Sequence, residues 1–159
     1  MEPQTTTQDT VATQGTMVQD TTAQDVGQNN IVKNETAKKK VLIIDDDQNL
    51  TTVLVDKLNF SGFMAESAND GIEGLKKALE DKPDLILLDV IMPNMSGWET
   101  LEKLRVDAWG EKVKVIMLTA LDKPESVAHA MEQGSTVFIV KTNYTLDQIV
   151  EKVKEVLRT

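Results

Sequence analysis

The chain has 159 residues, enough for one domain with residues to spare, and carries a formal net charge of −9. This acidic balance argues against a nucleic-acid partner, and the absence of cysteine excludes disulfides and thiolate zinc sites. No apolar run approaches the roughly 18 residues of a membrane span, and the first residues lack the basic and apolar regions of a signal peptide, so we predict a cytoplasmic protein with no membrane partner.

Residues 1–37 differ in composition from the rest of the chain. Thr, Gln, Asp and Asn dominate this segment, and no apolar period persists for more than a few residues. It holds five acidic residues against Lys33 alone. Such a segment buries too little apolar surface to offset the entropy lost on ordering. We therefore predict a disordered Thr/Gln-rich tail at 1–37 and a folded domain at 38–159.

Short apolar runs then alternate with helical patterns. Residues 41–44 and 85–88 are fully apolar, which is typical of strands buried on both faces of a parallel sheet. Three further strands are predicted at 63–66, 113–118 and 136–140. The predicted helices start, in chain order, at Asp47, Asn69, Ser96, Asp122 and Thr145. Ser96 and Glu99 have the spacing of a capping box, and the second helix carries its apolar period on Ile72, Leu75 and Leu79.

Five strand–helix units within residues 38–159 predict an α/β fold, a flavodoxin-like, doubly wound (βα)5 parallel sheet with strand order 2-1-3-4-5. In this order the first and third strands are neighbours at the point where the direction of winding reverses. Ligands of such sheets bind outside the carboxyl ends of the strands at that point. We therefore expect functional residues at the ends of the first and third strands.

Acidic residues stand at both of these strand ends. Asp45 and Asp46 directly follow the first strand, and Asp89 ends the third. Neighbouring carboxylates repel one another unless a cation neutralises them, and oxygen ligands without Cys or a nearby His favour Mg²⁺ over a transition metal. The fourth strand ends at Thr119 and the fifth at Lys141, which places a hydroxyl and an ammonium at the same edge.

With these residues in place, the chain resembles a response-regulator receiver domain of the CheY-like family over residues 39–158. The motifs that carry the resemblance are Ile-Ile-Asp-Asp-Asp, Leu-Leu-Asp-Val-Ile-Met-Pro-Asn-Met-Ser-Gly, Met-Leu-Thr-Ala and Phe-Ile-Val-Lys. In that family a sensor histidine kinase or a phosphotransfer protein passes a phosphoryl group to a central aspartate, which matches Asp89. The resemblance implies a phosphorylation-dependent switch of a two-component system that signals to a downstream protein. It does not imply an enzyme that acts on an external substrate.

The resemblance also implies roles for the other residues at this edge. The implied Mg²⁺ ligands are Asp45, Asp46, Asp89 and the backbone carbonyl of Ile91. Thr119 and Lys141 would bind the phosphoryl oxygens, and Phe138 matches the aromatic residue that moves inward on activation. Output would run through the face built from the fourth helix, the fifth strand and the last helix. The chain is expected to be a stand-alone receiver or the receiver of a longer protein.

Thr142 departs from the family pattern, which usually has proline after the lysine. We expect a trans Lys141–Thr142 peptide bond, with Lys141 still within reach of Asp89. The departure leaves one alternative open, a degenerate receiver that acts as a phosphorylation-independent binding scaffold. A phosphohydrolase is disfavoured because that class usually needs a second acid where this chain has Ile91. A flavodoxin-type flavin carrier is disfavoured because three aspartates follow the first strand, where such a protein binds phosphate.

Overall fold

The computed structural model describes residues 37–120, 132 and 137–158. Apart from Ala37, the predicted tail lies outside these residues, as does the predicted fourth helix at 122–134 apart from Glu132. Within the described part of the chain, no helix is both long enough and apolar enough to cross a bilayer.

Strands and helices alternate along the described chain. The strands are β1 (Lys40–Ile44), β2 (Met64–Ala68), β3 (Leu85–Asp89), β4 (Lys114–Thr119) and β5 (Val137–Val140). The described helices are α1 (Gln48–Phe60), α2 (Gly71–Asp81), α3 (Gly97–Arg105) and α4 (Leu146–Arg158). A single 3-10 turn, Lys141–Asn143, connects β5 to the segment before α4.

The five strands form one parallel sheet in the order β2-β1-β3-β4-β5, which confirms the predicted fold and strand order. Ile44 at the end of β1 lies opposite Leu88 in β3. Asp89 in turn lies opposite Leu118, and Thr119 lies opposite Val140. The carboxyl ends of the four strands β1, β3, β4 and β5 are therefore level, so the residues that follow them share one edge.

Each face of the sheet carries its own apolar core, because side chains alternate between the faces along a strand. On one face the odd-numbered residues of β1 and β3 pack with α1 and α4. On the other face the even-numbered residues pack with α2 and α3. Leu85 to Leu88 are completely buried, as expected for a central strand covered on both sides.

Local hydrogen bonds explain where three of the helices begin. The Asp47 carboxylate accepts from the backbone N–H groups of Asn49 and Leu50, so it caps α1. Ser96 and Glu99 form the predicted capping box at α3. Before α4, the N–H of Gln148 donates to the Thr145 hydroxyl and the N–H of Thr145 donates to the Gln148 side chain.

The prediction for α2 was wrong in its starting residue. Its cap is Asp70, whose carboxylate accepts from the N–H of Glu73 at 2.8 Å. Asn69 instead donates its backbone N–H to the Glu73 carboxylate at 2.9 Å. Both residue types favour the cap position, so composition alone did not separate them.

The apolar period of α2 marks its buried face only in part. Its buried residues are Gly71, Gly74 and Ala78. Ile72 is 55% exposed and Leu79 is 36% exposed. A Cβ on Gly74 would meet the side chain of Ile44. Small residues let α2 lie close to the sheet, so Ile72 and Leu79 are turned towards solvent, whereas Leu75 is partly buried and packs against the core of this face.

Candidate metal centre at the carboxyl edge of the sheet

The three predicted carboxylates lie together at the carboxyl edge of the sheet. Ile44 and Leu88 are paired across β1 and β3, so the next residues, Asp45 and Asp89, are side by side. One carboxylate oxygen from each of Asp45, Asp46 and Asp89 lies within 4.8 Å of the other two. Asp45 and Asp89 are buried and Asp46 is exposed, so the cluster has one side open to solvent.

Lys141 joins the two buried carboxylates. Its Nζ lies 2.6 Å from Asp45 Oδ2 and 3.0 Å from Asp89 Oδ1. The side chain is 20% exposed, so most of its length is shielded. Although Thr142 replaces the usual proline, the expectation that Lys141 stays within reach of Asp89 is confirmed. The isomer of the Lys141–Thr142 bond stays a prediction.

The buried charges shift each other's protonation. Burial and the neighbouring charge of Asp45 raise the pKa of Asp89 to about 6, although Lys141 opposes the shift. Burial on its own lowers the pKa of Lys141, but the ion pairs with Asp45 and Asp89 outweigh it and raise that pKa above its ordinary value. Near neutral pH the site therefore holds a charged lysine and an aspartate close to its titration range.

The donor set fits a hard divalent cation. Three carboxylates and one ammonium leave a formal charge of −2, which a divalent cation cancels. Oxygen ligands alone suit Mg²⁺ better than a transition metal. The side chain of Ile91, two residues after Asp89, is about half exposed (52%). Its backbone carbonyl as a further ligand stays a prediction.

The loop after β3 folds back onto the backbone of Asp89. The N–H of Gly97 donates to the carbonyl of Val90 at 3.0 Å. A Cβ on Gly97 would overlap the Asp89 carbonyl, so only glycine fits. Asn94 has a positive φ of 66°, and its side-chain amide donates to Asp70 at 3.3 Å. The loop between Asp89 and α3 is therefore held at both its centre and its end.

Thr119 and Phe138 lie on the neighbouring strands β4 and β5. Thr119 ends β4, is completely buried and pairs with Val140. Phe138 is half-buried and stacks on Trp98, with ring centroids 6.5 Å apart and planes 9° apart. The sequence analysis did not predict this stack, because β4 lies between the strand preceding Trp98 and the strand of Phe138, and no local pattern links the two residues.

Comparison with known proteins identifies the family. The family model described as "Response regulator receiver domain" matches residues 41–154. The alkaline phosphatase synthesis transcriptional regulatory protein PhoP of Bacillus subtilis (strain 168) is 36% identical over 120 residues, which cover 76% of this chain and 49% of that protein. Response regulator MprA of Mycobacterium leprae (strain TN) is 31% identical over 119 residues, which cover 75% of this chain and 51% of that protein. The chain spans about half the length of these curated relatives.

Solved structures agree with these matches. The chemotaxis protein CheY4 of Vibrio cholerae superposes with a TM-score of 0.71 at 30% identity, covering 76% of this chain and 99% of that one. A CheY-like receiver domain protein from Methanospirillum hungatei JF-1 also gives a TM-score of 0.71 at 31% identity, covering 77% of this chain and 95% of that one. Taken with the fold and the acidic edge, these matches show that the chain belongs to the response regulator receiver domain family.

Proposed function

We propose that this chain is a phosphorylation-dependent switch of a two-component system and accepts a phosphoryl group on Asp89. Receiver domains are signalling domains, and switching by phosphorylation is the general function of their family. The observation that carries the proposal is the position of Asp89. It lies 3.0 Å from Lys141 and within 4.8 Å of the carboxylates of Asp45 and Asp46.

The reaction transfers a phosphoryl group to a carboxylate oxygen. An oxygen of ionised Asp89 forms the new bond to phosphorus as the bond from phosphorus to the donor's histidine nitrogen breaks, and the imidazole leaves with the bonding electron pair. Lys141 neutralises charge on the phosphoryl oxygens, and the Thr119 hydroxyl donates a hydrogen bond to one of them in the product. The exposed side of Asp46 leaves the edge open to the donor.

Receiver domains bind Mg²⁺ at an acidic pocket. For this chain we propose that the ligands are Asp45, Asp46, Asp89 and the backbone carbonyl of Ile91. Bound there, Mg²⁺ would neutralise both the carboxylates and the incoming phosphoryl oxygens. The same charge would lower the pKa of Asp89 from its value of about 6 and keep the acceptor ionised at neutral pH.

Response regulators interact with histidine kinases and downstream targets. We propose a sensor histidine kinase or a phosphotransfer protein as the donor for Asp89. Output to a downstream protein would use the face of the predicted helix at 122–134, β5 and α4. Its support is that β5 carries Phe138 and leads directly into Lys141. A cytoplasmic location and the absence of nucleic-acid and membrane partners stay predictions of the sequence.

The test is intact-mass analysis after incubation with a small acyl phosphate, with and without Mg²⁺. The expected result is one phosphoryl adduct that requires Mg²⁺ and disappears in Asp89→Asn. Asp47→Asn is the matched control, because Asp47 is exposed and asparagine also caps a helix. If the wild-type protein forms no adduct under any of these conditions, nor with histidine-kinase donors, the proposal is wrong. The alternative, a phosphorylation-independent binding scaffold, would then replace it.

A further inference from the structure

The stacked pair of Trp98 and Phe138 connects two parts of the candidate site. Trp98 is the second residue of α3 and follows Gly97, which abuts the carbonyl of Asp89. Phe138 lies in β5, the strand that leads into Lys141. Their rings are 6.5 Å apart and nearly parallel, within the range in which aromatic pairs attract each other. The contact therefore ties the segment after the acceptor aspartate to the strand before the lysine.

The register of β4 and β5 shows what a movement of Phe138 involves. Phe138 lies opposite Met117, and both belong to the core on the α2 and α3 face. Thr119, two residues beyond Met117, projects to the same face and is completely buried. Phe138 is only half-buried where it stacks on Trp98. If Phe138 moves inward, towards Thr119, it has to leave the indole or take the indole with it.

We propose that Trp98 is a positioning residue of this switch: its indole holds Phe138 in the half-buried position, and phosphorylation of Asp89 favours the arrangement in which the stack is broken. This inference rests on the proposed function, because it assigns a regulatory role at the same site. An aromatic pair of this kind shifts a two-state equilibrium by about two- to tenfold. Trp98 therefore sets how readily the switch responds, without touching the phosphoryl group.

Thermodynamic linkage predicts the direction in which loss of Trp98 changes the affinity for a phosphoryl mimic. If the stack and the bound phosphoryl group favour opposite positions of Phe138, loss of the stack must tighten binding at the site by up to the same factor. A Trp98→Leu variant should bind beryllium trifluoride, a phosphoryl mimic, about two- to tenfold more tightly in the presence of Mg²⁺. Trp98→Phe keeps an aromatic ring and should stay near wild type. A residue that only supported the fold would lower thermal stability and leave this affinity unchanged or weaker.

The two tryptophans of the chain allow a direct optical readout. Trp109 lies in the turn between α3 and β4, at the edge of the sheet opposite the carboxylates. In a Trp109→Phe variant, emission reports Trp98 alone, and it should change when the mimic and Mg²⁺ are added. In Trp98→Phe, the remaining Trp109 emission should stay constant.

Fluorine NMR of the bound mimic measures binding independently of either tryptophan. If the mimic binds but the Trp98 emission is unmoved and Trp98→Leu shows unchanged or weaker affinity, this inference is overturned while the proposed function stands. If wild-type protein shows no bound mimic at any concentration, both are overturned. If the mimic binds more tightly to Trp98→Leu than to Trp98→Phe, the role of Trp98 is established.

Discussion

Lys141 Nζ lies 3.0 Å from Asp89 Oδ1 and 2.6 Å from Asp45 Oδ2, so one ammonium holds two buried carboxylates in place. This ion pair orients Asp89, the proposed acceptor, before any phosphoryl group arrives. It also places the Lys141 ammonium where the phosphoryl oxygens are expected.

Removal of the lysine should leave the two aspartates to repel each other. In Lys141→Met the pKa of Asp89 should rise further above about 6, because burial and Asp45 remain while the opposing charge is lost. Phosphorylation by a small acyl phosphate should slow by at least about tenfold. The pKa can be followed by NMR of the carboxyl carbon, and the rate by intact mass. Lys112→Met, an exposed lysine before β4, is the control and should change neither quantity.

The raised pKa of Asp89 makes stability depend on pH. Between the unfolded value near 4 and the folded value of about 6, the folded state binds more protons, so this residue's contribution falls as pH rises. Without Mg²⁺, Asp89→Asn should therefore be more stable than wild type at pH 7, by up to about 3 kcal/mol. The difference should shrink towards pH 4. Urea titrations across this range measure the difference, and a difference that did not vary with pH would contradict a raised pKa of Asp89 in the folded state.

Asp46 should matter for the cation more than for the fold, because it is exposed and its carboxylate completes the acidic cluster. Asp46→Asn should weaken Mg²⁺ binding by about tenfold or more, as expected for loss of a ligand charge. Asp47→Asn is again the control, because Asp47 follows Asp46 and caps α1. Calorimetric titration of both variants decides the matter. Equal affinities would remove Asp46 from the ligand set.

Gly97 should be intolerant of even one methyl group. A Cβ there would overlap the Asp89 carbonyl, so Gly97→Ala has to displace the loop that follows Asp89. We expect a stability loss of about 1–3 kcal/mol and slower phosphorylation. Gly62→Ala is a matched control, because it is strained by a positive φ of 93° but lies between α1 and β2 at the opposite edge. Gly62→Ala should lower stability but leave the phosphorylation rate constant unchanged.

Sequence reasoning succeeded where a residue's own neighbours in the chain decide its structure. The apolar runs before Asp45 and Asp89 marked strands buried on both faces, and the doubly wound order made them neighbours. Ser96 marked the start of α3 because capping depends on groups within four residues. The convergence of the three acids followed from this topology.

Sequence reasoning failed where contacts between distant segments decide which residues are buried. On α2, Gly74 packs against the side chain of Ile44, which leaves no room for a Cβ, and a buried glycine gives no hydrophobic signal in the sequence. Ile72 is therefore exposed despite its apolar side chain. The stack of Trp98 on Phe138 likewise joins α3 to β5, two elements that are far apart in the sequence. Both features arise from tertiary packing, which a single sequence does not encode in its local pattern.

Asp89 is the proposed phosphoryl acceptor, and the most direct test of this role is to locate the modified residue. Acyl phosphates of aspartate are reduced by borohydride to homoserine, which marks the acceptor permanently. After phosphorylation with Mg²⁺, reduction and peptide mapping, we predict that the mark lies on Asp89 and is absent from Asp45 and Asp46. It should also be absent when Mg²⁺ is withheld. A mark on any other carboxylate of the wild-type protein would contradict the account.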